Sequence, residues 1–564
     1  MTNIKFVYIA MLILLFLTAC TLHEFTKSPR ETIPSCLNCN IILISIDTLR
    51  ADHLGCYGYD RNTSPNIDKI ANEGILFENH ISQAPWTVPS HASMFTSLYP
   101  FPLGLKNPVK LDNEHITLAE IMKDNGYTTI AFTDGGYMIT EFGFDQGFDV
   151  FNDEGGGLAE INGRVSRWIN SSQKRPFFLF IHTYDTHCLS KDKPQKPYRY
   201  MFDKEFEYNG SHYCGHIQDL TRVSGGELLY KNAIYDGAIY YTDMLIGDLF
   251  EELKKHGIYN KSIIIITSDH GEEIGDHGFF DHGHSLYDEI MHVPLIINYP
   301  DSKDVVKRRV KTITRNIDIM PTILDFLNIS FNGNLEGRSL FPDILNSEFI
   351  PDQAAISIRR GSGLNYVEPL ITVRHKNTII SFYSAKDKLN SSYYSDSDKI
   401  KNENLSYSED IIDGINYINQ KQYFYCKEGD FLMQIDAQKE AFNKTIKEIE
   451  SILDPISCDM FNGTKIQNVF LGDEQFEIIY DHVYSIREDN WKLIVSKNKP
   501  LELYNIRKDP HEKENLVKKE RIVADRLMKK LDDIINSRKV NGESKDIFIH
   551  KKILERLKSL VYIN

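Results

Sequence analysis

Residues 41–46 read Ile-Ile-Leu-Ile-Ser-Ile and are followed directly by Asp47. Apolar runs of similar length lie at 128–132, 177–181, 263–266 and 293–297. Such runs are typical of strands in a parallel sheet that is covered on both faces. Amphipathic helical patterns at 117–125 and 236–255, each closed by a glycine, separate them. The alternation predicts an α/β fold with a mostly parallel sheet sandwiched by helices.

Polar residues follow three of these predicted strands. Asp47 follows the first, His182, Asp185 and His187 lie at the end of the strand 177–181, and Asp269 and His270 follow the strand 263–266. Ligands of open α/β sheets bind beyond the carboxyl ends of the strands. We therefore expect these side chains to converge on one functional site.

The composition indicates a large globular enzyme. The chain has 564 residues, of which 41% are hydrophobic and 25% charged, and this excludes collagen-like, disordered and multi-spanning membrane proteins. A net charge of −15 argues against binding to a nucleic-acid backbone. Eight cysteines are too few for a disulfide-framed miniprotein of this length.

The first twenty residues are typical of a targeting signal. An apolar run at 6–17 ends in Leu17-Thr18-Ala19-Cys20, which resembles a bacterial lipoprotein signal. We predict that the signal peptide 1–19 is removed and that Cys20 is lipidated. Residues 20–39 would then tether the protein to a membrane in the bacterial cell envelope, facing the periplasm or the exterior. An uncleaved anchor and a plain secretory peptide are the alternatives.

The remaining chain divides into three parts. Residues 40–345 form the predicted catalytic domain, and 346–483 a sheet extension with a polar insertion around 384–430. An amphipathic helix is predicted at 436–453 within that second part. Residues 484–564 are predicted to form a smaller α+β subdomain. Its expected elements are short strands at 491–495 and 501–504 and a closing helix near 522–535.

The segment 41–100, which begins IILISIDTLRADHLGCYGY and includes APWTVPSHASMFTSLYP, resembles the amino-terminal half of a sulfatase of the alkaline phosphatase superfamily. FFLFIHTYDTH, TSDHGEEIGDHGFFDHGHSLYDE and ELYNIRKDPHEKENL resemble later segments in the expected order. The resemblance is collinear over about 40–345 and 484–516. It implies an alkaline phosphatase/sulfatase-like fold and a hydrolase of sulfuric or phosphoric esters.

The same resemblance implies a metal site. Asp47, Asp269 and His270 match metal ligands, and Thr87 lies where sulfatases keep their nucleophile and would also touch the metal. Carboxylates and one imidazole suit one divalent cation, which could be Ca, Mg, Mn or Zn. Thr87 precedes a predicted helix, whose amino end favours an anion. By itself, a threonine in this position is more commonly an ordinary helix N-cap.

Several residues depart from the sulfatase pattern. The family has Cys or Ser at the nucleophile, converted to an aldehyde whose hydrate expels sulfate by elimination, and threonine has no such exit. A threonine phosphate can be cleared by water at phosphorus, so phosphorus is physically favoured. The other changed positions are Thr48 for Asp, His91 for Arg, Thr133-Asp134-Gly135-Gly136 for Gly-Lys-Trp-His, and His282-Gly283-His284 for the Lys region.

The histidines gained by the pocket are assigned as follows. His187, His282 and His284 are candidate catalytic groups, and His91 and His187 are candidate substrate contacts. A second metal held by Asp185, His187, His282 and His284 is the alternative to a one-metal site. We favour one metal because this second set lacks the spacing of a two-metal enzyme.

Three functions are compatible with these residues. The leading one is a metal-dependent hydrolase of an anionic ester such as a sulfated or phosphorylated glycan or envelope component. The second is a transferase that moves phosphoglycerol or phosphoethanolamine onto envelope glycans or lipids. The third is a non-catalytic glycan-binding homologue, against which the retained Asp47, Asp269 and His270 argue. Specificity is expected in loops at 188–230 and 384–478.

Overall fold

The protein is described by a computed structural model that covers residues 36, 38–100, 110–171, 176–187, 197–202, 225–300, 308–345, 354–359, 483–496 and 500–537. For further strands between 371 and 479 and at 547–548, it describes the backbone. The leader with Cys20, most of the loop 188–230 and the predicted helix beyond residue 436 lie outside the described residues. Cys36 and Cys39 are joined by a disulfide.

The described α-helices are α1 (Pro65–Glu73), α2 (Thr87–Thr96), α3 (Leu118–Asp124), α4 (Gly157–Ser171), α5 (Gly225–Lys255), α6 (Asp288–Met291), α7 (Ile319–Phe326), α8 (Phe341–Leu345) and α9 (Arg521–Ser537). The strands up to residue 359 are β1 (Asn40–Ile46), β2 (Ile75–Ile81), β3 (Thr128–Phe132), β4 (Val150–Asn152), β5 (Phe177–Thr183), β6 (Ser262–Thr267), β7 (Glu273–Ile274), β8 (Phe280–Asp281), β9 (Leu295–Asn298), β10 (Arg308–Arg315) and β11 (Ala355–Arg359). The later strands are β12 (Ile371–His375), β13 (Thr378–Ser384), β14 (Ile412–Ile418), β15 (Lys421–Cys426), β16 (Phe431–Asp436), β17 (Asn468–Leu471), β18 (Glu474–Ile479), β19 (Val483–Glu488), β20 (Trp491–Ser496), β21 (Glu502–Asn505) and β22 (Ile547–Phe548).

The central sheet has eight strands in the order β10-β2-β9-β6-β1-β5-β3-β4. β1 pairs in parallel with both β5 and β6, so the carboxyl ends of these three strands meet at one edge. The predicted strand at 293–297 is present as β9, but it runs antiparallel to β6 and β2. The prediction of a mostly parallel sheet is thus confirmed, with β9 as the exception.

Side chains of β1 alternate between two cores. Ile41 and Leu43 pack into the core beneath α2, α3 and α7, whereas Ile42 and Ile44 pack into the core beneath α1, α4 and α5. This alternation follows from the two-residue period of a strand, and it explains why the run is apolar at nearly every position. The predicted helix at 117–125 is confirmed as α3, which Thr117 and Glu120 cap reciprocally. The helix predicted at 236–255 begins earlier, at Gly225.

The C-terminal part contains two further sheets. One is antiparallel, in the order β11-β19-β20-β21, and packs with α9 as the predicted α+β subdomain. The other has eight strands and includes β12 to β18. The range 384–430, predicted as a polar surface insertion, contains β14 and β15 among the described residues. These two strands are antiparallel neighbours, and Ile418 pairs with Lys421.

Buried ion pairs connect the four-stranded sheet β11-β19-β20-β21, called the small sheet below, to the catalytic domain. The Asp288 carboxylate of α6 pairs with Arg487 of β19 at 2.6 Å and with Lys492 of β20 at 2.8 Å. Lys492 also meets Glu512 at 2.9 Å, and its side chain is 2% exposed. Since α6 follows the segment that carries His270 and His282, this ion-pair cluster anchors the end of that segment. Among the described helices, none combines the length and apolar character needed to cross a bilayer.

We expect Asp288→Asn to lower the free energy of unfolding by about 3–5 kcal/mol, because it takes the carboxylate partner from buried Arg487 and leaves buried Lys492 with Glu512 alone. Burial raises the pKa of Asp288, but the charges of Arg487 and Lys492 outweigh it and hold the pKa well below its usual range. The stabilisation is therefore present above the unfolded-state pKa of about 3.9 and is lost as the pH falls below it. Denaturant unfolding between pH 3 and 7 measures both effects.

Asp525→Asn is the matched control, because Asp525 pairs with Arg521 on an exposed face of α9. Its effect should stay below about 0.5 kcal/mol. Equal losses from the two substitutions would contradict the structural role given to Asp288.

Candidate active site and metal centre

Asp47 lies at the carboxyl end of β1, and its side chain is fully buried. Its Oδ2 atom accepts a hydrogen bond from the Thr87 hydroxyl at 3.2 Å. Its Oδ1 atom has no hydrogen-bond donor among the described residues. This second oxygen instead lies 3.9 Å from His270 Nε2 and 4.0 Å from His187 Nε2. The carboxylate is thus divided into a bonded oxygen and an unpaired one.

Asp269 and His270 follow β6, the strand next to β1. Asp269 Oδ2 and His270 Nε2 lie 3.3 Å apart, both residues are fully buried, and neither atom has a hydrogen-bond partner among the described residues. The ligand atoms of Asp47, Asp269 and His270 all lie within 4.8 Å of one another. Unpaired buried polar atoms are costly, and two carboxylates with one imidazole are suitable ligands for a divalent cation. The residues therefore fit the expected metal.

The electrostatics of the cluster agree with this fit. Burial raises the pKa of Asp47 to about 7 and also raises the pKa of Asp269. Burial lowers the pKa of His270 to about 4, so its ring is neutral at pH 7. In each case removal from water disfavours the charged form of the group, and this shifts its pKa. A cation at the centre of the cluster would supply the positive charge that stabilises both carboxylates in their ionised form.

Local backbone geometry holds these ligands in place. Thr48 has a φ of 57°, which is uncommon for a β-branched residue, and its amide N–H approaches Asp269 Oδ1 at 3.4 Å. The Ser90 hydroxyl donates to the Asp269 carbonyl at 2.7 Å, and Asn316 Nδ2 donates to Ser90 Oγ at 3.2 Å. The turn after β1 and the turn after β6 are therefore tied to each other and to α2.

Thr87 is the first residue of α2 and is 1% exposed. Trp86 before it is extended, and Pro89 lies in the first turn, where proline needs no helical hydrogen bond. The hydroxyl therefore sits at the positive end of the helix, next to Asp47. Trp86 contacts Tyr137 edge to face, with ring centroids 6.1 Å apart, and both side chains are half-buried beside the hydroxyl.

His187 and His282 lie on the side of the cluster that is not closed by the core. The side chain of His187 is 26% exposed, and its ring centroid lies 4.9 Å from that of His282. The His282 ring lies 4.4 Å from His270. Burial lowers the pKa of His282, but Asp281 at 2.8 Å and Glu272 at 3.3 Å outweigh it and raise the pKa well above its usual range. His282 is thus the cationic histidine of the site.

Two residues have environments that differ from the sequence-based assignments. His284 bonds to Glu273 at 2.6 Å and packs against Phe279. Asp185 accepts the Leu158 N–H at 2.7 Å at the start of α4, together with the Thr183 hydroxyl, so it is committed to the fold and not to a second metal. These contacts weaken the two-metal alternative.

His91 is fully buried, and both of its ring nitrogens have protein partners. Nδ1 bonds to the Thr87 carbonyl at 2.9 Å, and Nε2 bonds to Ser45 Oγ at 3.0 Å. The substrate role predicted for His91 is therefore replaced by a role inside the protein, where His91 holds the backbone of Thr87.

Sequence reasoning left two further residues without a role. His182 contacts Asp47, and the Tyr184 hydroxyl accepts the Tyr137 N–H at 3.0 Å and also interacts with the Thr87 side chain. Gly136 permits this approach, because a Cβ there would come within 2.7 Å of the Tyr184 ring. Both residues lie in the strand-end segment that sequence analysis had selected, but only the tertiary contacts reveal their partners.

Comparison with known families agrees with the fold. The family model "Sulfatase" matches residues 39–329, more than half of the chain, and a second model, "N-sulphoglucosamine sulphohydrolase, C-terminal", matches residues 275–406. The chain belongs to the sulfatase family. As a member of this family it is an ester hydrolase, and members of the superfamily use a divalent metal. The resemblance found in the sequence is thereby confirmed.

Similar proteins include enzymes with different substrates. The multifunctional alkaline phosphatase superfamily protein PehA of Trinickia caryophylli is 26% identical over 396 residues, which cover 54% of this sulfatase-family chain and 76% of that protein. The N-acetylglucosamine-6-O-sulfatase of Bacteroides thetaiotaomicron is 23% identical over 406 residues, covering 55% and 72%. The crystal structure of a phosphonate monoester hydrolase of Agrobacterium radiobacter superposes with a TM-score of 0.56 at 18% identity, covering 89% and 95%.

We expect purified protein to bind one equivalent of divalent cation, because three unpaired ligand atoms converge on one point. Asp269→Asn should remove this binding, whereas Asp185→Asn should leave one equivalent bound. Elemental analysis after dialysis against each metal measures the stoichiometry, and the melting temperature with and without the metal reports the linked stabilisation. Two equivalents in the wild type, falling to one in Asp185→Asn, would instead support the two-metal alternative.

Proposed function

We propose that this protein hydrolyses singly charged esters of sulfuric or phosphoric acid, with Thr87 as the nucleophile and phosphorus as the favoured centre. The observation that carries the proposal is the position of the Thr87 hydroxyl, at the amino end of α2 and 3.2 Å from Asp47 within the metal-ligand cluster. A hydroxyl in this position can attack an ester whose oxygens are held by the cation and the helix terminus.

The charge of the site supports a singly charged substrate. Among the described residues, the hydrogen bonds and ion pairs of Asp47, Thr87, Asp269 and His270 involve no lysine or arginine. Arg50, which lies nearby, is occupied by Asp52 and Asp276. A phosphate monoester carries close to two negative charges at neutral pH, whereas sulfate monoesters and phosphate diesters carry one. A site with few fixed cations is better matched to one charge.

The proposed reaction has two displacement steps. Asp47, Asp269 and His270 would hold a divalent cation, which would lower the pKa of a neighbouring hydroxyl and stabilise charge on the ester oxygens. Thr87 gives its proton to solvent, and its Oγ1 attacks phosphorus and forms a bond to it while the bond to the leaving oxygen breaks and His282 gives its proton to that oxygen. Water then attacks phosphorus and gives a proton to His282, and the displaced Thr87 oxygen takes a proton from solvent.

Thr87 is also the reason for favouring phosphorus over sulfur. A sulfate on threonine has no second hydroxyl on the same carbon, so it cannot leave by elimination, and water has to attack sulfur. A phosphate on threonine can be released by attack at phosphorus with the same groups that formed it. The names of similar proteins include hydrolases of both kinds of ester.

The location of the reaction is proposed from the leader. Residues 17–20, which end in Cys20, support a lipid anchor that holds the enzyme on the outer side of a bacterial membrane. An anionic glycan or another envelope component would be the substrate within reach.

We expect Thr87→Ala to lower kcat/KM by about a thousandfold or more, because removing a nucleophile removes the covalent route. Thr87→Ser should keep most of the activity. Turnover of an aryl sulfate, an aryl phosphodiester and an aryl phosphate monoester by all three proteins provides the measurement, and the phosphodiester should react fastest. Unchanged metal content and circular dichroism are the controls. Equal rates in wild type and Thr87→Ala would refute covalent catalysis.

Replacing His282 should affect esters with poor leaving groups most. We expect His282→Gln to slow an alkyl ester by about 100- to 10,000-fold and an activated aryl ester far less, because the latter needs no proton. His284→Gln is the comparison, since His284 bonds to Glu273, and its losses should be small and independent of the leaving group. A His284→Gln variant with the stronger dependence on the leaving group would assign the acid to His284.

A further inference from the structure

His182 lies at the end of β5, outside the set of residues assigned above to metal, nucleophile or acid. Its backbone pairs in register with Ser45 of β1. Register partners in a parallel pair point to the same face of a sheet, and so do residues two apart along one strand. Ser45, Asp47 and His182 therefore share one face. This places the imidazole of His182 beside the metal-ligand carboxylate.

The two side chains are in direct contact, and both are buried. His182 Nε2 lies 3.3 Å from Asp47 Oδ2, and both side chains are 0% exposed. His182 Nδ1 has no hydrogen-bond partner among the described residues. A carboxylate oxygen can only accept a hydrogen bond, and a neutral imidazole carries its one proton on either Nδ1 or Nε2. The tautomer with hydrogen on Nε2 donates that proton to Asp47.

Oδ2 of Asp47 thus has two donors, the Thr87 hydroxyl at 3.2 Å and the His182 ring at 3.3 Å. Oδ1 has none and lies towards His270 Nε2. Rotation of the carboxylate would break both bonds to Oδ2. When Thr87 gives up its own bond in order to attack, His182 is the donor that remains.

We infer that His182 is a positioning residue, which holds Asp47 in the orientation that presents Oδ1 to the metal while Thr87 reacts. The inference rests on the proposed function, because it presupposes that Asp47 is a metal ligand. Outer groups of this kind typically change metal affinity by 10- to 100-fold when they are removed.

The surrounding rings keep His182 from turning away. Its centroid lies 5.0 Å from His91 and 4.6 Å from Tyr184, both in edge-to-face contact. His91 in turn bonds to the Thr87 carbonyl. The two imidazoles therefore act on neighbouring groups: His91 holds the backbone of the nucleophile, and His182 holds the carboxylate that the nucleophile contacts.

The test compares His182→Phe, which keeps a ring but has no donor, with His182→Gln, which keeps an N–H of similar reach. Isothermal titration of the full-length protein, stripped with chelator and titrated with Mn²⁺, Ca²⁺ or Zn²⁺, gives the affinity without an activity assay. We expect His182→Phe to bind the metal about 10- to 100-fold more weakly, and His182→Gln to recover most of the affinity. His53→Gln is the matched control, since His53 is buried and bonds to Asp236 at 2.8 Å.

Each outcome decides the inference. Metal affinity of His182→Phe within about twofold of wild type would overturn it, as would equal losses in His182→Phe, His182→Gln and His53→Gln. Should His182→Phe fail to fold, His182→Leu, which also lacks a hydrogen-bond donor, takes its place under the same criteria. A wild type that binds no divalent cation would overturn the proposed function as well. A wild type that binds metal normally while His182→Phe does too would overturn only the role of His182.

Discussion

Two carboxylates, Asp47 and Asp269, are buried next to each other at the ends of adjacent strands, and the whole site depends on how their charge is balanced. Burial raises the pKa of both groups, and the histidines nearest to them are neutral at pH 7 for the same reason. The unpaired oxygens and the unpaired Nε2 of His270 face one point. A cation there would satisfy all three atoms at once.

The other residues of the site are arranged around this pair of buried carboxylates. The apolar sheet holds β1, β5 and β6 in register, which brings Asp47, His182 and Asp269 to one edge. Helix α2 adds the Thr87 hydroxyl and the positive end of its dipole. The segment after β6 adds His282, which Glu272 and Asp281 keep protonated. Ion pairs between Asp288 and the small sheet fix the far end of that segment.

Replacement of the family's fixed cations by histidines changes what the site can do. Arginine and lysine stay charged in a buried site, whereas a buried histidine is charged only beside carboxylates. Here His91 and His182 are neutral and hold other groups, and His282 is cationic because two carboxylates flank it. Under the proposed function, the balance of charge and a threonine without an elimination route distinguish this site from that of a typical sulfatase.

The sequence by itself determined the class of fold and the chemistry at the strand ends. Continuous apolar runs predict the buried sheet, because a strand covered on both faces has no polar side, and Asp47, Asp269 and His270 stand out by their place after those runs. Thr87 is recognised only through the resemblance to sulfatases. The local pattern does not give the direction of β9, the strand order of the sheet made by β12 to β18, or the partners of His91, Asp185 and His284. They depend on which segments pair, although these are far apart in the sequence, and on which hydrogen-bond partner each buried ring nitrogen contacts. Only the folded chain decides them, since hydrogen-bond direction and strand pairing are set by neighbours that are far apart in the sequence.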